Sequence, residues 1–210
     1  MYLIVTRSFP PELGGMQSLM WGLAKELSKN FMIKVFADYE SDYQNFDQKV
    51  SFSIERVGGI KLLRKFRKAY LINEFIKKNK VRGIIGDHWK SLELIKTDIK
   101  KYCLIHSKEI NHPQGSNINK RVLKVLNNVQ KIISNSKFTK DLAIKNGVNE
   151  KKIIVINPGV EPTTELNKEL LNKVEKLFKN KSPKLITVSR FDKRKNHEKI
   201  IMSLRNLKQE

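Results

Sequence analysis

The chain has 210 residues, a length typical of one large domain or of one domain and part of a second. No apolar run approaches the ~20 residues that cross a bilayer, and Arg7 with the Pro10-Pro11 pair interrupts the N-terminal apolar segment too early for a signal peptide. Because the single cysteine, Cys103, cannot form an internal disulfide, we expect a reducing, cytoplasmic location and a buried thiol on a strand.

The net charge of +21 and the isoelectric point of about 10.0 have three explanations. They are nucleic-acid binding, attraction to an anionic membrane surface, and a lysine-rich surface that only contacts solvent. Lysines are spread along the whole chain, which favours the last. The densest basic cluster alternates with apolar residues, a pattern typical of a helix on a membrane surface and equally of an ordinary surface helix. Its cations are Lys61, Arg64, Lys65, Arg67 and Lys68.

Apolar runs alternate with amphipathic segments along the first 160 residues, which indicates alternating strands and helices. Predicted strands cover residues 2–6, 31–37, 50–57, 81–86, 102–106, 131–134 and 153–156. Predicted helices cover residues 16–29, 62–79, 92–96, 120–129 and 137–146, and residues 38–48 are predicted as a loop. Ser136 is a predicted N-cap, and Gly147 is predicted to end the same helix. This order predicts an α/β fold with a doubly wound, mostly parallel sheet.

The loop of residues 8–15, Ser-Phe-Pro-Pro-Glu-Leu-Gly-Gly, joins the first strand to the first helix. It places backbone N–H groups at a helix N-terminus, where the helix dipole favours an anion such as a phosphate. Gly14 and Gly15 allow positive φ and the close approach of a ligand to the backbone. A plain strand-to-helix turn without a ligand explains the same spacing.

Ligands of doubly wound sheets bind beyond the carboxyl ends of the strands. The residues that follow the predicted strands are therefore candidates for a site: residues 7–15, Asp87 with His88, His106, and residues 157–160. A structural role in packing the mouth of the sheet remains an alternative for His88 and Trp89.

The composition changes after residue 160. Residues 161–183 are predicted as a polar linker helix, and residues 184–189 and 198–207 as one strand and one helix. One strand and one helix cannot bury a core. We therefore expect residues 1–160 to form the first domain and residues 184–210 to begin a second, incomplete one.

Three segments, in this order, resemble family 4 (group 1) glycosyltransferases of GT-B architecture. Residues 9–15 resemble the family's first loop. Residues 133–148, leading to Asn-Pro-Gly-Val-Glu at 157–161, resemble the end of its first domain. Residues 188–196 resemble the start of its donor domain, where an Arg and a Lys five positions later bind the donor's diphosphate. The resemblance covers nearly the whole chain and implies two Rossmann-like domains, of which only the first strand–helix unit of the second is present.

The resemblance implies a retaining transferase that moves a sugar from a nucleotide diphosphate donor to a glycan or lipid-linked acceptor. Arg190 and Lys195 would bind the diphosphate, together with Gly14 and Gly15. His106 matches the family's histidine beside the donor sugar, where polar contact is a better expectation than general-base chemistry. Glu109 and His88 are acceptor-binding candidates. No cofactor or metal is expected, because the histidines lack ligand spacing with carboxylates or the cysteine.

Two departures from the family pattern bear on activity. Asn196 stands where many members have glycine, and the chain ends before the family's pair of donor-gripping glutamates. We therefore expect a fragment that is inactive alone. The alternative function is a basic, non-catalytic module for an anionic membrane or nucleic acid. Nucleic acid is not expected as a partner, since no RNA-binding motif is present and only residues 61–70 interleave aromatic with basic residues.

Overall fold

A computed structural model describes residues 1–160, 167–179, 182–189 and 191–206. The chain forms two compact units, Met1–Val160 and Glu161–Glu210, which are considered separately.

The first unit contains a seven-stranded sheet in the order β3-β2-β1-β4-β5-β6-β7. Every described pair of neighbouring strands is parallel, which confirms the predicted doubly wound α/β fold. The strands are β1 Tyr2–Val5, β2 Ile33–Asp38, β3 Ser53–Val57, β4 Gly83–Gly86, β5 Lys101–Ile105, β6 Lys131–Ser134 and β7 Ile153–Val155.

The helices of the first unit follow the predicted pattern with three differences. They are α1 Gly15–Ser28, α2 Tyr43–Asp47, α3 Lys61–Lys78, α4 Trp89–Leu92, α5 Asn117–Asn127 and α6 Lys137–Lys145, with a 3₁₀ turn at Glu150–Lys152. The short α2 lies in the segment predicted as a loop. The short α4 and the longer α5 each begin three residues earlier than predicted, because the side chains of His88 and Ser116 cap their N-termini.

Both faces of the sheet are buried, which explains the continuous apolar runs of its strands. In β1, Leu3 and Val5 pack on one face and Ile4 on the other, and all three are fully buried. Helix α1 covers the face of Ile4, and side chains of α3 to α6 join the opposite cluster. The thiol of Cys103 lies in that second cluster, as expected for a buried strand cysteine, and burial raises its pKa.

The ends of α6 match the sequence prediction. The Ser136 hydroxyl accepts a hydrogen bond from the Thr139 N–H at 3.2 Å. Gly147 follows the helix with φ 95°, a left-handed conformation that favours glycine.

The second unit contains α7 Lys168–Phe178, a 3₁₀ turn Lys193–Lys195 and α8 His197–Asn206. The prediction of a strand at 184–189 is wrong: the structure describes these residues without strand pairing, and a strand needs a hydrogen-bonded neighbour. The apolar sides of α7 and α8 are exposed, including Leu177 at 70% and Ile201 at 67%. No helix within the described ranges is long and apolar enough to cross a membrane.

Candidate functional site

The candidate site of the first unit lies at the carboxyl edge of three neighbouring strands. Strands β1, β4 and β5 are adjacent, so Arg7, His88 and His106, which follow them, lie at one edge. Residues 157–160 follow β7 two strands away and are exposed.

Asp87 holds this edge together. Its Oδ2 accepts hydrogen bonds from the Thr6 hydroxyl at 2.8 Å and from the Arg7 backbone N–H at 2.9 Å. Its Oδ1 accepts one from the Ser91 hydroxyl at 2.6 Å. The side chain is almost fully buried, and a buried carboxylate is tolerated only when donors surround it. Asp87 therefore fixes the end of β1 against the start of α4 and positions its neighbour, His88.

His88 is neutral and has a defined tautomer. Its Nδ1 accepts a hydrogen bond from the Lys90 backbone N–H at 3.0 Å, so the proton of the neutral ring is on Nε2. Burial, with the nearby positive charges of Arg7 and Lys90, lowers the pKa of His88 to about 3. Among the described residues, nothing accepts a hydrogen bond from this Nε2–H. It is therefore a donor suited to a bound hydroxyl.

His106 and Glu109 are joined by the turn that follows β5. The His106 backbone N–H donates to the Glu109 carboxylate, and the His106 Nε2 lies 3.2 Å from the Asp87 carbonyl oxygen, to which it donates. This bond leaves the Nδ1 of His106 as an acceptor. One carboxylate oxygen of Glu109 therefore accepts a hydrogen bond from the backbone, and the other oxygen can accept one from a ligand.

Trp89 packs beneath this turn. The ring is fully buried, and its Nε1–H donates to the Glu109 carbonyl at 2.9 Å. The structural role predicted as an alternative for Trp89, packing the mouth of the sheet, is confirmed. His88 instead caps α4 through one ring nitrogen and can donate to a ligand through the other.

Neither glycine of the first loop uses the positive φ that glycine allows, and Gly14 alone acts by lacking a side chain. Gly14 is extended, with φ 169°, and serves as the N-cap of α1. A Cβ on Gly14 would lie 2.4 Å from Gln17 Oε1, whereas a Cβ on Gly15 would meet nothing within 4 Å. No side chain caps α1 and its first turn has no acidic residue, so its N–H groups are open to a ligand.

Arg56 braces the same loop, a role that the sequence pattern does not reveal. Its Nη2 donates to the Pro10 carbonyl at 2.5 Å and to Asp47 at 2.6 Å. The guanidinium also lies over the Phe9 ring, 5.5 Å from its centroid. These contacts fix the loop on the sheet before any ligand arrives.

The predicted basic helix is divided between two faces. Lys68 is buried, and its Nζ donates to the Thr6 carbonyl at 2.6 Å and pairs with Asp38. Burial lowers the pKa of Lys68. Arg64 also turns inward, 3.5 Å from Asp38, so neither residue faces a membrane plane. Lys61, Lys65 and Arg67 remain exposed.

A cleft of about 320 Å³ lies between α3 and α4. We call it the basic cleft, because seven cations and two carboxylates line it. The cations are Arg7, Lys61, Arg64, Lys65, Lys68, Lys90 and Arg121, and the carboxylates are those of Asp38 and Glu93.

The predicted donor residues belong to the second unit. Arg190 lies outside the described residues. Lys195 is exposed and ends the 3₁₀ turn, where its N–H donates to the Asp192 carbonyl at 2.8 Å. Asn196 has φ 53°, a left-handed conformation that asparagine tolerates, which accounts physically for its replacing a glycine. Within the described residues, no cluster of His, Cys, Asp or Glu could hold a metal ion.

Comparison of the sequence with protein families gives one match: the model of Glycosyltransferase Family 4 matches residues 13–164. No curated protein sequence matches the chain.

Solved structures share its fold. A glycosyltransferase from Rickettsia africae ESF-5 is 20% identical, with a TM-score of 0.66 over 91% of this chain and 53% of that one. HepE from Anabaena, solved with UDP-glucose, is 14% identical, with a TM-score of 0.63 over 85% of this chain and 50% of that one. Sucrose-phosphate synthase from Thermosynechococcus elongatus is 15% identical, with a TM-score of 0.59 over 76% of this chain and 48% of that one. The chain thus spans about half the length of these proteins.

Proposed function

Because the chain belongs to glycosyltransferase family 4, we propose that it works in transferring a sugar from a nucleoside diphosphate donor to a glycan or lipid-linked acceptor, with retention of configuration. Its sheet is the Rossmann-like architecture of GT-B glycosyltransferases. HepE has been solved with UDP and with UDP-glucose, which supports a nucleotide sugar as the donor here.

The observation that carries the proposal is the pair of histidines at the carboxyl edge. Asp87 is hydrogen-bonded on both carboxylate oxygens and fixes the segment that holds His88. The Nε2–H of His88 donates to an acceptor hydroxyl and so orients it. Glu109 accepts from a second hydroxyl through its remaining oxygen. These side chains bind and orient the sugars, and they need no change of protonation to do so.

Each unit has its own candidate donor contacts: the loop of residues 8–15 in the first unit, and Arg190 with Lys195 in the second. The N–H groups at the start of α1, beside Gly14 and Gly15, donate to donor oxygens. Arg190 and Lys195 neutralise the diphosphate as the bond to the anomeric carbon breaks. A fixed cation lowers the barrier where negative charge develops, so the reaction proceeds without a metal or other cofactor. His106 contributes a polar contact to the donor sugar.

The proposed setting is the cytoplasm, at the inner face of the membrane, in the assembly of a polysaccharide or lipopolysaccharide. The exposed α3 residues support the membrane part of this proposal: Lys61, Lys65 and Arg67 lie among Leu62, Leu63 and Phe66, which are between 53% and 81% exposed.

The donor role is tested by nucleotide-sugar titration with a matched pair of variants. Lys195→Gln removes the predicted diphosphate contact, and Lys193→Gln removes the same charge from the same 3₁₀ turn. We expect Lys195→Gln and Arg190→Gln each to weaken binding of UDP-glucose or another nucleoside diphosphate sugar roughly tenfold or more, with little effect of Lys193→Gln. Equal effects of the two lysine variants would show general charge attraction and contradict the donor role.

A second candidate function, a non-catalytic module that binds an anionic membrane, follows from the exposed face of α3. Co-sedimentation with phosphatidylglycerol vesicles separates the two candidates. The module would be favoured if the chain binds vesicles but no nucleotide sugar, and if Arg67→Glu abolishes the vesicle binding. Nucleotide-sugar binding that depends on Lys195 would favour the transferase.

A further inference from the structure

We propose that the basic cleft between α3 and α4 binds a phosphate group of the acceptor substrate. The proposal rests on the transferase function above. It adds that the acceptor carries a phosphate, which the contacts of the histidines do not indicate. The phosphate belongs either to a free sugar phosphate or to a lipid headgroup.

The first argument is the balance of charge. Three of the seven cations are already engaged with carboxylates: Lys68 and Arg64 contact Asp38, and Arg121 forms two contacts with Glu93, at 2.7 and 2.8 Å. The other cations of the cleft have no carboxylate partner in the described part of the chain. These are Arg7, Lys61, Lys65 and Lys90. Four unpaired cations around one concave surface repel one another, and a bound polyanion relieves that repulsion.

The second argument is an unpaired polar atom. The Nε of Arg64 is buried and has no hydrogen-bond partner among the described residues, although its Nη1 and Nη2 contact Asp38 and the Gly59 carbonyl. Buried N–H groups are normally satisfied. Because this atom is buried, the guanidinium of Arg64 must turn for an oxyanion in the cleft to accept from it, and guanidinium groups bind phosphate with favourable geometry.

The third argument is position. Arg7 follows β1 directly, and Lys90 lies two residues after His88. Arg7 lines the cleft, and its positive charge contributes to lowering the pKa of both Lys68 and His88, so it is near both residues. The cleft is thus lined by Arg7, Lys90 and Ser91, which lie at the same strand edge as His88.

The fourth argument is size and lining. The volume of about 320 Å³ is in the range typical of small-molecule sites. Leu62 and Leu94 add an apolar wall next to the cations. The cleft thus suits a phosphate that carries further atoms.

The test is calorimetric titration of the 210-residue chain with inorganic pyrophosphate. Lys65→Gln and Lys90→Gln remove exposed cations of the cleft, and Lys78→Gln removes an exposed cation of the same α3 outside it. We expect each cleft variant to weaken binding roughly tenfold and Lys78→Gln to weaken it less than twofold. Equal weakening by all three variants, or no binding by the unsubstituted chain, would overturn the proposal.

Lys195→Gln distinguishes this proposal from the proposed function. Pyrophosphate binding that is lost in Lys195→Gln and kept in Lys65→Gln would place the anion in the donor site and overturn the cleft proposal while supporting the transferase. Binding with the opposite dependence supports the cleft, whatever the outcome of nucleotide-sugar titration.

Two further titrations identify the source of the phosphate. Binding of glucose 1-phosphate that depends on Lys65 and Lys90 supports a free sugar phosphate. Binding of phosphatidylglycerol vesicles, but not of phosphatidylcholine vesicles, with the same dependence supports a lipid headgroup. Dependence of neither ligand on the cleft lysines would contradict an acceptor phosphate at this position.

Discussion

Replacing His88 with asparagine isolates the effect of burying a neutral histidine at the candidate site. Asparagine is a good N-cap, and its side-chain oxygen can replace the Nδ1 that accepts from the Lys90 N–H. The variant therefore keeps the start of α4 and removes a titrating group. The difference in stability between the two proteins then depends on pH through His88 alone, since the other titrating groups are common to both.

The expected magnitude follows from the pKa of about 3 in the folded chain and ~6.5 in the unfolded one. Between these values the unfolded state binds a proton that the folded state does not, so the histidine lowers stability as the pH falls below ~6.5. Relative to His88→Asn, the unsubstituted chain should lose about 1.2 kcal/mol between pH 7 and pH 5.5, and about 2.5 kcal/mol between pH 7 and pH 4.5.

Urea unfolding followed by tryptophan fluorescence measures this difference. Both tryptophans, Trp21 and Trp89, lie in the first unit, so the signal reports the unit that contains His88. Parallel stability curves for the two proteins from pH 7 to pH 4.5 would refute the reasoning. They would mean that His88 titrates normally in the folded chain and is not held as the neutral donor that we assign to the acceptor hydroxyl.

Three further predictions concern the residues that hold the site together. Asp87→Ala removes the acceptor of the Arg7 N–H and of the Ser91 hydroxyl, while the Thr6 hydroxyl keeps the Ser8 carbonyl as an acceptor. The variant should lower the free energy of unfolding in urea by about 2–4 kcal/mol, and a loss below about 1 kcal/mol would contradict the role of Asp87 in organising this edge. Gly14→Ala should cost about 1 kcal/mol because the new methyl group must displace Gln17, whereas Gly15→Ala should change stability by less than about 0.5 kcal/mol. Equal melting temperatures for these two variants would contradict the steric argument. Arg56→Gln should lower the free energy of unfolding by about 2 kcal/mol and speed proteolysis of the loop that carries Pro10. An unchanged cleavage rate would show that the loop keeps its conformation without Arg56.

The sheet could be predicted from the sequence because its evidence is local. Each strand is a short apolar run, and both faces of β1 are buried by side chains that alternate along it. Capping is local as well, so Ser136 and Gly147 were identified correctly.

Long-range contacts explain what the sequence did not reveal. Thr6 and Asp87 are 81 positions apart and Thr6 and Lys68 are 62 apart, so no periodicity connects them. The helical pattern of α3 indicated basic residues but not which of them turn inward to meet Asp38. A glycine pair has two physical uses, positive φ and the absence of a Cβ, and spacing does not distinguish them. Only the backbone geometry shows that Gly14 serves the second.

The central proposal, sugar transfer from a nucleoside diphosphate donor, is tested most directly by nucleoside diphosphate release. The protein, produced in the length that its gene encodes, is incubated with a panel of nucleoside diphosphate sugars. We expect release from at least one donor, with a roughly tenfold loss in Lys195→Gln and little change in Lys193→Gln. Release that is absent across the panel, or that is the same in both lysine variants, would contradict the proposed donor chemistry.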